Sequence, residues 1–257
     1  VIDLFGPEGL AALDRLARAR TLYAFDFDGT LAPIVAVPDN ARAAPTTIAL
    51  LTAIGARVPT LILTGRGTDD LRRLLPFASK YVVGNHGAEG MPDAPAGDPA
   101  HRAVVEAWLA QWPAAIAESG AVAGLAVEPK RYSLSIHYRQ ADDHAAAERA
   151  IDAAIGRLDP RPRVIGGKCV LNLLPEGAPD KGSALRALVR IEHCDAAFFI
   201  GDDLTDEAAF EQAPPSWVTV RVGQSAASAA RYFIPDQKDI DRCLERLLAA
   251  VEAADRR

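Results

Sequence analysis

The chain has 257 residues, of which 49% are apolar and 24% charged. That is enough for a sizeable core in one or two domains, and it excludes a disordered segment, a collagen-like rod and a minimal scaffold. The formal charge of −6 supplies no global basic field for nucleic acid or anionic lipid, and the longest stretch free of Asp, Glu, Lys, Arg and His, residues 43–56, is 14 long, short of the roughly 18 a membrane span needs.

Leu10, Leu13 and Leu16 share one face of an opening helix. Residues 21–27 (TLYAFDF) read as a buried strand, 45–57 as a helix with Pro45 in its first turn, and 58–64 (VPTLILT) as a second strand. A helix is expected over 68–75, capped by Thr68 or Asp69, and a short strand over 81–84. This β-α-β-α-β rhythm predicts an α/β core, a parallel sheet with helices on both faces. Residues 91–99 (MPDAPAGDP) form a loop or hinge. A helix follows over 102–118. Residues 121–128 and 131–138 read as antiparallel partners. In the second of these, Tyr132, Leu134, Ile136 and Tyr138 alternate with Arg131, Ser133, Ser135 and His137, which predicts one solvated face. A helix over 142–158 and strands over 163–165 and 168–174 complete an α+β module inserted in the parallel fold. The first rhythm then resumes with a helix over 181–191, a strand over 196–200, a helix over 206–212, a strand over 217–222 and a last helix over 239–254.

Four predicted core elements carry polar signatures. Asp26-Phe27-Asp28-Gly29-Thr30 places two carboxylates at a strand's C-terminal end, where parallel sheets bind ligands. Their repulsion calls for a cation between them. Thr64-Gly65-Arg66 ends the next long strand with a hydroxyl and a glycine suited to a phosphate oxygen. Asp180-Lys181-Gly182-Ser183 opens a helix with an ammonium beside the positive helix end. Gly201-Asp202-Asp203-Leu204-Thr205-Asp206-Glu207 puts four acids within six positions after an apolar strand, a density that hard cations relieve. Taken singly, each has a plainer reading as a turn, a solvated lysine or an acidic helix cap.

In this order the four stretches resemble the loops of the haloacid-dehalogenase superfamily. Asn85-His86-Gly87-Ala88-Glu89, Glu128-Pro129-Lys130 and His137-Tyr138-Arg139 are similar to the trehalose-6-phosphate phosphatase family within it. The resemblance implies a Rossmann-like hydrolase core over 1–87 and 176–257, with an inserted α+β (C2-type) cap over 88–175 that selects the substrate. It further implies that Asp26 attacks phosphorus to give an aspartyl-phosphate. Asp28 serves as acid and then base, and Thr64 and Lys181 hold the phosphoryl oxygens. Mg²⁺ sits on Asp26, the Asp28 carbonyl and Asp202, and Asp203 or Asp206 orients a metal water or Lys181. Gly65, Arg66, Glu128, Lys130, Asn172 and Glu176 are the expected substrate contacts. Asn172 stands where the family commonly carries a glutamate, so it offers a hydroxyl no charge-assisted bond; Glu176 follows four residues later. His137 is more simply read as a structural residue.

The implied substrate is a small sugar phosphate, with trehalose 6-phosphate first and another sugar phosphate or a glycosyl-phosphoglycerate as the alternative. A phosphomutase would need more basic groups than Arg131 and Arg139. A non-catalytic phosphosugar sensor would have lost an essential group, yet Asp26, Asp28, Thr64, Lys181 and Asp202 are all present. No nucleic-acid or membrane partner is expected. A trehalose-phosphate synthase is expected as a separate pathway protein, because 257 residues leave no room for one here. VIDLF at the start lacks the basic-then-apolar pattern of an export signal. Cys169, Cys194 and Cys243 are odd in number and form no CxxC, and so read as reduced thiols of a cytoplasmic protein.

Overall fold

The computed structural model describes residues 1–94, 96–120 and 122–256. In chain order its elements are β1 (Ile2–Asp3), α1 (Pro7–Leu16), β2 (Thr21–Phe25), α2 (Pro45–Gly55), β3 (Thr60–Leu63), α3 (Thr68–Leu74) and β4 (Tyr81–Val83). Then come α4 (Pro99–Glu118), β5 (Ala126–Pro129), β6 (Leu134–His137), α5 (His144–Ile155), β7 (Arg163–Gly167) and β8 (Val170–Leu174). The chain closes with α6 (Lys181–Ile191), β9 (Ala196–Gly201), α7 (Leu204–Glu211), β10 (Val218–Val222), β11 (Tyr232–Ile234) and α8 (Ile240–Asp255). These elements divide into two units: Val1–Met91 with the chain from Asp180 onward, and Pro92–Pro179.

The first unit is built on a seven-stranded parallel sheet in the order β1-β11-β10-β9-β2-β3-β4. Its central strands are buried on both faces, which is why TLYAF and AAFFI are nearly continuous apolar runs. Successive residues feed opposite layers. Tyr23, Phe25, Phe198 and Ile200 pack with Leu51, Ile54, Leu244 and Leu247 of α2 and α8. Leu22, Ala24, Ala197 and Phe199 pack with Leu185, Leu188 and Phe210 of α6 and α7. The edge strand β1 and its neighbour β11, two and three residues long, carry no alternation and are not foreseen from sequence. Helix α3 is not capped by Thr68 or Asp69: Gly67 is its N-cap, and the buried Glu89 carboxylate accepts the Thr68 N–H at 3.1 Å.

The second unit has a four-stranded antiparallel sheet, β5-β6-β8-β7. Leu134, Ile136 and Leu173 point to one face and pack with Trp108 and Trp112 of α4 and Ile151 and Ile155 of α5. Asp98 and Asp143 cap those helices through the N–H groups of Ala100 and Ala146. The face predicted to be solvated is not so at its centre, because Ser133 and Ser135 are fully buried. The Ser135 hydroxyl instead donates to Asn172 Oδ1 on the next strand at 2.7 Å. Pro95 of the expected loop and Ala121 of the expected strand lie outside the described residues. Among the described residues no helix is long and apolar enough to cross a membrane.

Candidate active site

Strands β9, β2 and β3 are neighbours and run parallel. Their C-terminal exits therefore share one edge of the sheet, each about 4.8 Å from the next. The chain winds outward from β2 toward β4 and then returns to β9 on the other side, so β2 and β9 flank the switch point where such sheets bind ligands. This topology brings the Asp26, Thr64 and Asp202 loops together although they are far apart in sequence.

Lys181, the first residue of α6, is buried and donates to Asp26 Oδ1 and Asp206 Oδ1, each at 2.7 Å. Thr30 Oγ1 donates to the other Asp26 oxygen at 3.2 Å, so both oxygens of Asp26 are fixed. Asp206 Oδ2 accepts the N–H groups of Asp202 and Asp203 at 3.0 and 2.9 Å. Asp206 therefore locks the fourth loop as well as the lysine. Glu207, also read as a helix-cap acid, instead binds Arg221 and the Ala229 N–H. Asp202 is drawn against the first loop so closely that a Cβ on Gly29, whose φ is +81°, would lie 2.3 Å from Asp202 Oδ2. Only glycine fits there.

One carboxylate oxygen from each of Asp26, Asp202 and Asp206 lies within 4.8 Å of the others. Three buried carboxylates thus face one ammonium. Burial pushes the Asp26 carboxyl well above the usual carboxylate range against the pull of Lys181, and Asp206 and Asp202 push the same way. Desolvation works against the Lys181 charge, but Asp206 and Asp26 outweigh it and raise its pKa above the ordinary lysine value. The excess of buried negative charge, made of oxygen donors alone, fits a hard divalent cation. Asp26, Asp202 and Asp206 each offer one oxygen to such an ion, and both oxygens of Asp26 and of Asp206 also accept hydrogen bonds from the protein. The Asp28 carbonyl is available beside them: among the described residues no backbone N–H donates to it.

The Asp28 side chain turns to Arg66. Arg66 Nε and Nη2 donate to its two oxygens at 2.6 and 2.7 Å. The Arg66 fork, expected at the substrate, holds a protein carboxylate. Thr64 is fully buried; its Oγ1 accepts the Arg66 N–H at 3.2 Å, leaving its own O–H to donate. A Cβ on Gly65 would lie 2.5 Å from the His86 ring, so the turn tolerates no side chain there. The 85–89 stretch buttresses this loop. The Asn85 and His86 N–H groups donate to the Arg66 and Thr64 carbonyls, and Asn85 Nδ2 donates to Glu89 at 2.8 Å. Thr30 as a clamp on Asp26 and Asp70 beside Arg66 at 3.6 Å are partners not found from sequence; only the Asp-Gly-Thr triplet pointed to the first.

In the second unit, Glu128, Ser135, Asn172 and Ile165 form one row across the sheet, each paired in register with the next. Glu128 and Asn172 therefore share a face, as does Lys130, two residues along from Glu128. Glu128 Oε2 lies 2.8 Å from His137 Nε2 and 3.7 Å from Lys130 Nζ. Asn172 accepts from Ser135 and donates to the Ile165 carbonyl at 3.4 Å. Glu176 is exposed, on the turn closed by the Ala178 N–H and the Pro175 carbonyl, and is not part of this row.

A family model described as trehalose-phosphatase matches residues 24–238. The trehalose-phosphate phosphatase of Mycolicibacterium paratuberculosis is 36% identical over 208 residues, covering 77% of this chain and 52% of that protein. The chain thus spans about half the length of the curated relatives it matches first, 52% and 58%. The C-terminal domain of a C. albicans trehalose-6-phosphate phosphatase superposes with a TM-score of 0.76 at 21% identity, over 93% of this chain and 96% of that one. A sugar phosphatase described as HAD subclass IIB superposes with a TM-score of 0.55 at 16% identity, over 88% and 98%. The expected fold, a haloacid-dehalogenase parallel sheet with an inserted α+β unit, is the one found.

Proposed function

The chain belongs to the trehalose-phosphatase family, and from that premise we propose that it hydrolyses a sugar phosphate monoester, trehalose 6-phosphate above all, with Asp26 as the attacking group. The observation that carries this reading is the fixed, buried Asp26 held between Lys181 and Thr30 beside Asp202. An Asp26 oxygen bonds to phosphorus as the bond from phosphorus to the sugar oxygen breaks, and that oxygen leaves with the electron pair and takes a proton from Asp28. Water then bonds to the aspartyl-phosphate phosphorus, Asp28 removes its proton, and the bond from Asp26 to phosphorus breaks to free phosphate. Lys181 and the Thr64 hydroxyl hold phosphoryl oxygens, with Gly65 allowing close backbone approach, while Asp206 and Asp203 keep Lys181 and the fourth loop in place.

Asp26, Asp202 and the Asp28 carbonyl would hold Mg²⁺, which supplies positive charge against the phosphoryl group and the crowded carboxylates. We assign sugar selection to the inserted unit, over about 88–175, through Glu128, Lys130 and Asn172 on one sheet face and Glu176 on the adjoining turn. The three unpaired cysteines support a cytoplasmic setting, where a trehalose-phosphate synthase would supply the substrate. The test is phosphate release from a panel of sugar phosphates, with Mg²⁺ and with chelator. A strong preference for trehalose 6-phosphate that is lost on chelation is expected. Slow, even turnover of the whole panel contradicts the substrate, and full turnover under chelation contradicts the metal.

A further inference from the structure

The geometry points to Arg66 as a positioning residue that aims the Asp28 carboxyl at the leaving oxygen. This inference rests on the reading of Asp28 as the proton donor. The guanidinium is fixed independently of Asp28: Nη2 also donates to the Pro38 carbonyl at 2.8 Å, Nη1 lies 3.6 Å from Asp70, and Cζ stands 5.6 Å from the centre of the Phe27 ring. The backbone of Arg66 is pinned as well, its N–H on Thr64 Oγ1 and its carbonyl taking the Asn85 N–H. The arginine side chain is 9% exposed while that of Asp28 is 38% exposed, so a buried fork holds a carboxyl that opens toward solvent. A planar two-point contact fixes the rotation of the carboxyl about its own axis, which a single hydrogen bond does not. Proton transfer to an alkoxide requires that orientation, because the donor must lie within hydrogen-bond reach and in line. Arg66 touches neither phosphate nor sugar in this role; it acts through Asp28.

A role through Asp28 depends on the leaving group, and a role in phosphate binding does not. A sugar alkoxide needs a proton as it departs, whereas para-nitrophenolate leaves without one. The experiment compares first-turnover release from trehalose 6-phosphate and from para-nitrophenyl phosphate in the Mg²⁺-supplied full chain, for wild type, Arg66→Met, Arg66→Lys and Asp28→Asn. Arg66→Met is expected to slow the sugar substrate about a hundredfold, within the usual range for a misplaced general acid, and nitrophenolate release by less than about threefold. Arg66→Lys keeps the buried stem and the charge but offers no fork, and an alkyl-specific loss of about tenfold is expected; it carries the same comparison if the methionine variant does not fold. Equal losses on both substrates, or none, overturn the inference. If Asp28→Asn shows the leaving-group dependence and the Arg66 variants do not, Arg66 is not its positioner and the assignment of Asp28 stands. If Asp28→Asn lacks it too, the assignment of Asp28 falls, and this inference with it.

Discussion

Lys181 in the α/β unit and Glu128 in the inserted unit each sit between two polar side chains, yet the two arrangements rest on different physics. Lys181 is buried, 2.7 Å from both Asp26 and Asp206. Its charge is not optional, because without it three carboxylates would be stranded away from water. The Glu128 side chain is 45% exposed, 2.8 Å from His137 and 3.7 Å from Lys130. Water competes for the exposed Glu128 carboxylate, so its contacts contribute little to stability and rearrange at little cost. The first arrangement is pre-organised for one charge distribution, as phosphoryl transfer needs. The second is a polar surface that can exchange its partners for hydroxyl groups.

That contrast can be broken most sharply at Asp26. Asp26→Asn is expected to lower phosphate release about ten-thousandfold or more. Its thermal midpoint should not fall, since one of three crowded carboxylates is removed; a circular-dichroism melt checks this beside a phosphate assay. Lys181→Met is expected to reduce turnover about a thousandfold and, unlike Asp26→Asn, to lower stability by about 3–5 kcal/mol in urea titration. Glu128→Gln should cost less than about 1 kcal/mol in the same titration; equal costs would erase the distinction between the units. Mg²⁺ binding to the folded chain should raise its stability by about 2.7 kcal/mol at a hundredfold excess over the dissociation constant. Asp202→Asn should remove most of that gain, and a thermal shift independent of Asp202 would place the cation elsewhere. Glu128→Gln should raise KM about tenfold, the loss of one charge-assisted bond, and leave kcat within about twofold; a fall in kcat alone would assign Glu128 to the chemistry. A small effect is also expected for Asn172→Ala, about 1 kcal/mol of stability in the same titration, from leaving the buried Ser135 hydroxyl without its acceptor.

The core strands were legible because burial on both faces requires long apolar runs, and each run ended in Asp, Gly or Thr where the chain leaves the sheet. The four polar stretches marked the loops, and parallel pairing made them converge. What alternation could not show was whether a polar face meets water: Ser133 and Ser135 satisfy the pattern and are buried. Nor could spacing reveal Arg66, because the contact spans 38 residues and depends on the turn after β3 pointing back to Asp28. Arg66 reads from sequence as a substrate contact, and the Asp28 carboxylate in its fork is visible only in the structure. Strands β1 and β11 were too short to carry a period.

The central claim is that Asp26 takes the phosphoryl group. Rapid quenching of the Mg²⁺-supplied chain during turnover of trehalose 6-phosphate, followed by peptide mass mapping, tests it most directly. The account predicts one phosphoryl group on the peptide containing Asp26, appearing and disappearing fast enough to keep pace with phosphate release. Phosphate released at the full rate with that peptide unmodified, or with the phosphoryl group on another residue, would contradict it.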